Sequence, residues 1–555
     1  MLRLASLMMF FIVAAPVSSF AQIQIWTSTA TRGLGNRLAN ATPIGMLPGS
    51  TVLHIAVALK LNNKDALVQY VNAVNNPAST LYGESLTVAQ FVSLYAPTGL
   101  QVQAVVNYLA GQGLSNIHVE PNNLFVTADG TAAQLSSAFN TSIGRFRHNG
   151  KTVHVNMTDA QVPLPLAGTV VAVLGLNNAG RMSTPIHKQA TPALGTPAVH
   201  FYPPQGFWTA YDVGSTPTGS QTTIAIFAQG DLTQVLTDLR IAENANNLPQ
   251  VPVTVVPVGP ASPDTAGQSE WDLDTQMSTG MAGSVAQLII YDTTSLTDCD
   301  VALMFNKFAQ QNIAKAGSAS FGLCETFAFL DGSMLADDQV FLEAAAQGQT
   351  VFASTGDNGS ACPVVGANGV PLSGVPGMVI YPASSPYVVG VGGTTLTTTS
   401  GYDYIVEVGW DAGGGGVSLW ESSPSWQQPV LPTTAAGKAV PDVSIDADLV
   451  SGALVYMNCQ PGQDPQTTCQ NATGGTSLSS PLWLGVWARL QSAHANNLGF
   501  ASPRLYRLYQ APPAAYPGYH DIVGGCNGLF CAIPGFDYVT GLGTPDVATL
   551  NTVIN

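Results

Sequence analysis

The sequence predicts an α/β protein: a large, mainly parallel sheet flanked by helices, preceded by a smaller α+β unit. Three observations carry this expectation. Beyond residue 206, short apolar runs alternate with helical ones; before residue 182, strands and helices mix in a stretch of domain size; and charge divides unevenly between the two parts. There are 10 Lys/Arg against 5 Asp/Glu before residue 190 and 7 against 28 after it, a net +5 and −21 that together give the chain's −16. A chain of 555 residues is also too long for one compact core.

Met1 to Ala21 carries one Arg, an apolar run from Leu7 to Pro16 and a small-x-small cleavage site at Ser19-Phe20-Ala21. These are the marks of a secretory signal peptide, too short for a membrane anchor. The chain is therefore expected to be secreted, extracellular or periplasmic, without a membrane anchor and as a monomer. So few bases leave no basic footprint for nucleic acid. A surface with few ion pairs also loses little when carboxylates protonate, so acid tolerance is expected.

The first unit, residues 22–182, reads as an alternating strand at 52–61, helices at 66–75, 87–95 and 100–112, strands near 117–126, a helix at 132–139 and a strand at 153–155. Its place between a leader and an acidic domain suggests a pro-segment. The Pro-, Gly- and Thr-rich stretch 183–205 reads as an exposed linker with a processing site. In 206–555, strands are expected at 222–228, 253–258, 286–291, 316–321, 349–354 and 387–391, with helical runs at 232–247, 301–311 and 336–346. Strands separated by helices form parallel sheets covered on both faces, and sites gather at the carboxyl ends of such strands.

Seven cysteines, all after residue 298, suit an oxidising compartment. Cys459 with Cys469 and Cys526 with Cys531 are the expected local pairs; Cys299, Cys324 and Cys362 allow at most one more bridge and leave one inert, buried thiol.

The chemistry is expected at Gly474-Gly475-Thr476-Ser477-Leu478-Ser479-Ser480-Pro481. Two glycines let a backbone approach a ligand, and Pro481 suits a first helical turn, so Ser477 should sit at a helix N-terminus. There a serine gains from the helix dipole if it becomes negative; it equally suits an ordinary N-cap. Glu270 and Asp274, in Glu270-Trp271-Asp272-Leu273-Asp274, are spaced i, i+4, so on a helix they share a face and can share a proton. Asp357 lies in Ser354-Thr355-Gly356-Asp357-Asn358-Gly359, where a strand runs into a Gly-bounded loop. A turn residue and a residue pointing into a site both fit.

Together these elements resemble the sedolisins, serine-carboxyl peptidases related to subtilisin. The resemblance extends over the pro-segment stretches Leu81-Tyr82-Gly83-Glu84 and Tyr95-Ala96-Pro97-Thr98, and over Tyr381-Pro382-Ala383, Gly392-Gly393-Thr394 and Val440-Pro441-Asp442. It implies a subtilisin-like catalytic domain behind a ferredoxin-like inhibitory pro-domain, with protein or peptide substrates. It also implies Ser477 as nucleophile, Glu270 as base supported by Asp274, Asp357 at the oxyanion hole, and Ser320-Phe321-Gly322 as the substrate-binding strand. Many members have Trp where this chain has Phe321. The resemblance further implies one calcium ion, held by the side chains of Asp521 and Asp537 and the carbonyls of Ile522, Ile533 and Gly535, a hard-oxygen set that suits calcium better than zinc. Phe536 replaces a commoner Trp there, and Cys526 to Cys531 is inserted between the ligands. An inactive extracellular binding protein of the same fold is the alternative, against which the intact Glu270, Asp274, Asp357 and Ser477 weigh. An esterase using His494 or His520 would need a histidine that the helix carries away from Ser477.

Overall fold

The computed structural model describes residues 24–554 apart from positions 36, 39, 149, 185–186, 190–199, 363, 366–370, 373–378, 432–435, 461 and 510–515, and gives 187–189, 364–365 and 371–372 as backbone only. The expected signal peptide lies outside the described residues.

The first unit contains β1 (Val52–Leu59), α1 (Lys64–Val74), α2 (Val88–Leu94), α3 (Gly99–Gly111), β2 (Ser115–Val119), β3 (Phe125–Thr131), α4 (Ala132–Ala138) and β4 (Val170–Leu174). Thr87, Thr98 and Thr131 start α2, α3 and α4 by one device: each accepts from the backbone N–H of a Gln three residues on, whose side chain accepts in return from the threonine N–H. This capping box accounts for where these helices begin. The strands pair antiparallel in the order β2-β3-β1-β4, a ferredoxin-like arrangement.

The expectation of an alternating, half-buried β1 needs correction, because both faces are buried from Ile55 onward. Ile55, Val57 and Leu59 enter the unit's own core with Val105, Leu109 and Leu135. Ala56 and Ala58 face the other way and join the core of the second domain, as do Ala172 and Leu174 of β4. The two-residue period of a strand thus sends neighbours into different cores, and the small alanines let the second domain come close.

That domain runs β5 (Gly219–Gln229), α5 (Thr233–Ala245), β6 (Val253–Val258), α6 (Gln268–Ala282), β7 (Val285–Thr293), α7 (Asp298–Gln311), β8 (Ala316–Ala319), α8 (Ser333–Ala346), β9 (Thr350–Ser354), β10 (Val388–Thr398), β11 (Tyr404–Gly409), β12 (Val443–Asp446), β13 (Gln470–Gly474), α9 (Thr476–Ala493) and α10 (Ala501–Arg507). The main sheet has the order β6-β7-β5-β8-β9-β10-β11, with β12 also on β10, and every pair is parallel except β10 with β11. Register aligns Ile226, Ser318 and Phe352 across β5, β8 and β9. Phe352 stacks near Trp483 and Trp487 of α9, whereas Phe227, one residue along, meets Phe305 and Phe308 of α7 edge-on. So α9 covers one face and α7 the other.

Candidate active site

α9 begins at Thr476, with Gly475 as its N-cap at φ 116°, a backbone state open to glycine. Ser477 is therefore in the first turn, as expected. Pro481 is not: it lies one turn further, inside the helix. Lacking an N–H, it leaves the carbonyl four residues back, that of Ser477, without its helical partner. Ser320 Oγ lies 3.3 Å from that carbonyl oxygen.

Ser320 also donates to Asp274 Oδ1 at 2.5 Å. Asp274 and Glu270 lie one turn apart on α6, both buried, with Glu270 in the first turn. Burial holds Asp274 well above the ordinary carboxylate range, and the Ser320 hydrogen bond offsets part of that rise. α6 and α9 pack closely at Gly485, where a Cβ would stand 2.6 Å from Met281 Cβ and 2.7 Å from the Ser278 carbonyl oxygen.

Asp357 follows β9 and reaches the residue before the serine. Its Oδ1 accepts from Thr476 N at 2.8 Å and from Thr476 Oγ1 at 2.7 Å, while Thr476 Oγ1 accepts from Gly356 N at 3.0 Å. Burial pushes the Asp357 carboxyl up to about 7, against the pull of those two hydrogen bonds. With Oδ1 taken by two donors, protonation places the hydrogen on Oδ2, where it can be given to an oxygen developing negative charge.

Asp274, through Ser320, and Asp357, through Thr476, thus meet the start of α9, and Glu270 lies one turn before Asp274 on α6. Ser477 is fully buried. Residues 187–189 pair antiparallel with β13, His187 opposite Gly474, and Ser183 exchanges two hydrogen bonds with Gly322, of 2.9 and 3.1 Å. The expected exposed linker is therefore in part tied to the strands on either side of the site; positions 190–199 lie outside the described residues.

Two histidines are the alternative bases for Ser477. His494 caps the far end of α9, ~25 Å along the axis from Ser477, and His520 stacks on Tyr404.

The expected calcium ligands share one loop. Gly535 N donates to both oxygens of Asp521 at 3.1 Å, and Ile533 N donates to Asp537 Oδ2 at 3.1 Å. Asp537 Oδ1 also accepts from Val539 N and Thr540 N, both at 2.8 Å, and Asp521 Oδ1 from Tyr516 OH at 3.1 Å, so both carboxylates are turned onto the loop, as hard-oxygen ligands of calcium would be. Cys459–Cys469 and Cys526–Cys531 are bonded as expected, the further bridge is Cys324–Cys362, and Cys299 is a free, buried thiol.

A parallel sheet with a serine at the head of its central helix, faced by carboxylates, defines a serine-type peptidase of subtilisin-like fold. Comparison with known proteins gives the family. The pro-kumamolisin activation domain model matches residues 39–179. Sedolisin of Pseudomonas sp. (strain 101) is 39% identical, over 98% of this chain and 96% of its own; xanthomonalisin of Xanthomonas sp. (strain T-22) is 37% identical, over 96% and 70%. The solved structure of Pseudomonas sedolisin, a serine-carboxyl proteinase complexed with two molecules of pseudo-iodotyrostatin, matches with a TM-score of 0.58 and 38% identity, covering 64% of this chain and 98% of that one. The chain belongs to the sedolisin family of serine-carboxyl peptidases and carries that family's activation domain. Among the described residues, no helix is long and apolar enough to cross a membrane.

Proposed function

We infer that this is a secreted, acid-acting endopeptidase made as a self-processing zymogen. Ser477 Oγ attacks the scissile carbonyl, the Glu270 and Asp274 pair takes its proton, and protonated Asp357 donates to the oxyanion; the pair then returns the proton to the leaving amine. The observation that carries this reading is the set of contacts that tie Asp274 through Ser320 to the backbone carbonyl of Ser477, and Asp357 to Thr476. Calcium at Asp521 and Asp537, with the carbonyls of Ile522, Ile533 and Gly535, would stabilise the C-terminal loop and takes no part in the reaction. The linker's pairing on both sides of Ser477 supports processing in cis.

The test incubates the purified full chain and its Ser477→Ala variant, in acid and at neutrality, with a denatured protein. The parent should release internal fragments in acid and cut itself within residues 183–205, while the variant stays full-length. Equal self-processing by the variant would remove Ser477 as nucleophile, and tripeptides released stepwise from N-termini would overturn endopeptidase action.

A further inference from the structure

β8 and the start of α9 are stitched together by serines. Ser318 Oγ shares a 2.7 Å hydrogen bond with Ser480 Oγ, and Ser320, two residues on and so on the same side of the extended chain, lies beside the carbonyl of Ser477. The two are not equivalent. Ser318 joins two elements, whereas Ser320 joins three, because it also donates to Asp274 on α6. Pro481 leaves the Ser477 carbonyl without its helical donor; the one hydroxyl hydrogen of Ser320 goes to Asp274 at 2.5 Å, with the carbonyl at 3.3 Å a weaker second contact.

We propose that Ser320 is a positioning residue for the peptidase reaction, holding Asp274 in register with the start of α9 and setting how readily the Glu270 and Asp274 pair gives up its shared proton. This rests on the reading of that pair as the base. A donor to a carboxylate favours its charged form, and the direction agrees at Asp274, where Ser320 opposes the rise caused by burial.

Other ionisable groups near α6 are engaged elsewhere. On α5, Asp238 accepts from Asn458 N and Cys459 N, and it also meets Asp272 of α6. Glu243 is held by Arg240 and Val251 N. Arg489 of α9 donates to the carbonyls of Met281 and Thr216. Asp292 of β7 accepts from Gly230 N, and β5 carries no charged residue. Besides burial and its pairing with Glu270, the hydrogen bond from Ser320 bears on Asp274.

Without the hydroxyl, the pair keeps its proton to higher pH. In Ser320→Ala, after acid activation of the full chain, the acidic limb of kcat/KM should move up by about one pH unit, the size of one lost charge-assisted hydrogen bond. kcat should fall about tenfold or more, with KM changed less and the alkaline limb unmoved. Ser320→Thr, which keeps a hydroxyl, should restore the limb; Ser320→Cys, a weaker donor, should lie between and carries the test if the alanine variant does not fold. Ser318→Ala removes a buried hydroxyl from the same strand and should lower the melting temperature without moving the limb. An unmoved limb in folded Ser320→Ala or Ser320→Cys, or an equal movement in Ser318→Ala, overturns the proposal. Asp274→Asn separates it from the reading beneath it: a variant with the parent's full pH profile would remove the base pair itself.

Discussion

Two sets of buried carboxylates flank the same sheet, and they are held in different ways. On the α9 side, Asp274 and Asp357 take their donors, Ser320 and Thr476, from within the catalytic domain. On the α7 and α8 side, Asp298 accepts from Gly175 N at 3.1 Å and Asn177 Nδ2 at 3.2 Å, and Glu343 accepts from Asn122 Nδ2 at 2.7 Å. Those three donors belong to the pro-domain. Burial raises carboxyls in both places: Asp357 and Asp298 to about 7, Glu343 to about 8. A raised carboxyl is therefore not by itself a mark of chemistry. The active-site set keeps these donors when the pro-domain leaves, whereas the docking set loses them and retains Cys299 N for Asp298 and Gln347 for Glu343.

The second set also revises how the pro-domain is held. A net +5 against −21 suggests docking by opposite charge near neutrality and release when acid protonates the second domain. Among the described residues, the ion pair from the first 182 residues to the second domain is Arg181–Asp264, at 3.0 Å and partly exposed; such a pair contributes little. The buried carboxyls meet neutral amides instead. Burial raises both carboxyls, while Gly175 N and Asn122 Nδ2 of the pro-domain pull them back, so their contribution to the stability of the uncut chain is fully present in acid, below the ordinary carboxyl range, and is lost as pH rises through about 7 for Asp298 and about 8 for Glu343.

The contrast can be broken most sharply by exchange of single carboxyls. Glu270→Gln and Asp274→Asn should each lower kcat/KM by on the order of 10³-fold, whereas Glu343→Gln, once processed, should stay within about twofold of the parent. A comparable loss in Glu343→Gln would erase the distinction. A smaller effect is expected on the zymogen. Glu343→Gln keeps an acceptor for Asn122 but has nothing to ionise, so the uncut chain should gain stability at pH 8 on the order of 1–3 kcal/mol, with little change in acid. Equal melting shifts at both pH values would contradict the sign. Smallest should be the effect of a calcium chelator, which lowers the melting temperature by a few degrees through loss of a ligand that binds the folded state; Asp537→Ala should no longer respond. A full response in that variant would place the metal elsewhere.

What the sequence showed of this site was local. Glu270 and Asp274 are one turn apart, Asp357 follows a strand, and paired glycines precede Ser477, so short-range spacing sufficed to nominate all four. Ser320 escaped as a side chain with a role because its partners lie 46 and 157 residues away. Pro481 was placed one turn early because a proline suits a first turn in isolation, whereas α9 starts at Thr476, where Gly475 ends the preceding extended chain. The Cys324–Cys362 bridge could not be chosen among three cysteines without knowing that Cys299 is buried on α7. The second buried face of β1 was hidden for a similar reason: Ala56 and Ala58 do not reveal which domain they face.

The central claim is that Asp357 works as a protonated donor, and the alkaline limb of activity tests it most directly. With its carboxyl raised to about 7, the donor is present below that pH and lost as pH rises through it. Asp357→Asn replaces it with a donor that does not titrate. Measured as kcat/KM from acid to pH 8 on processed enzyme, the parent should lose activity around neutrality, and the variant, at a lower maximum, should lose distinctly less. An alkaline limb in the same place for both would show that Asp357 neither sets that limb nor supplies the oxyanion's donor.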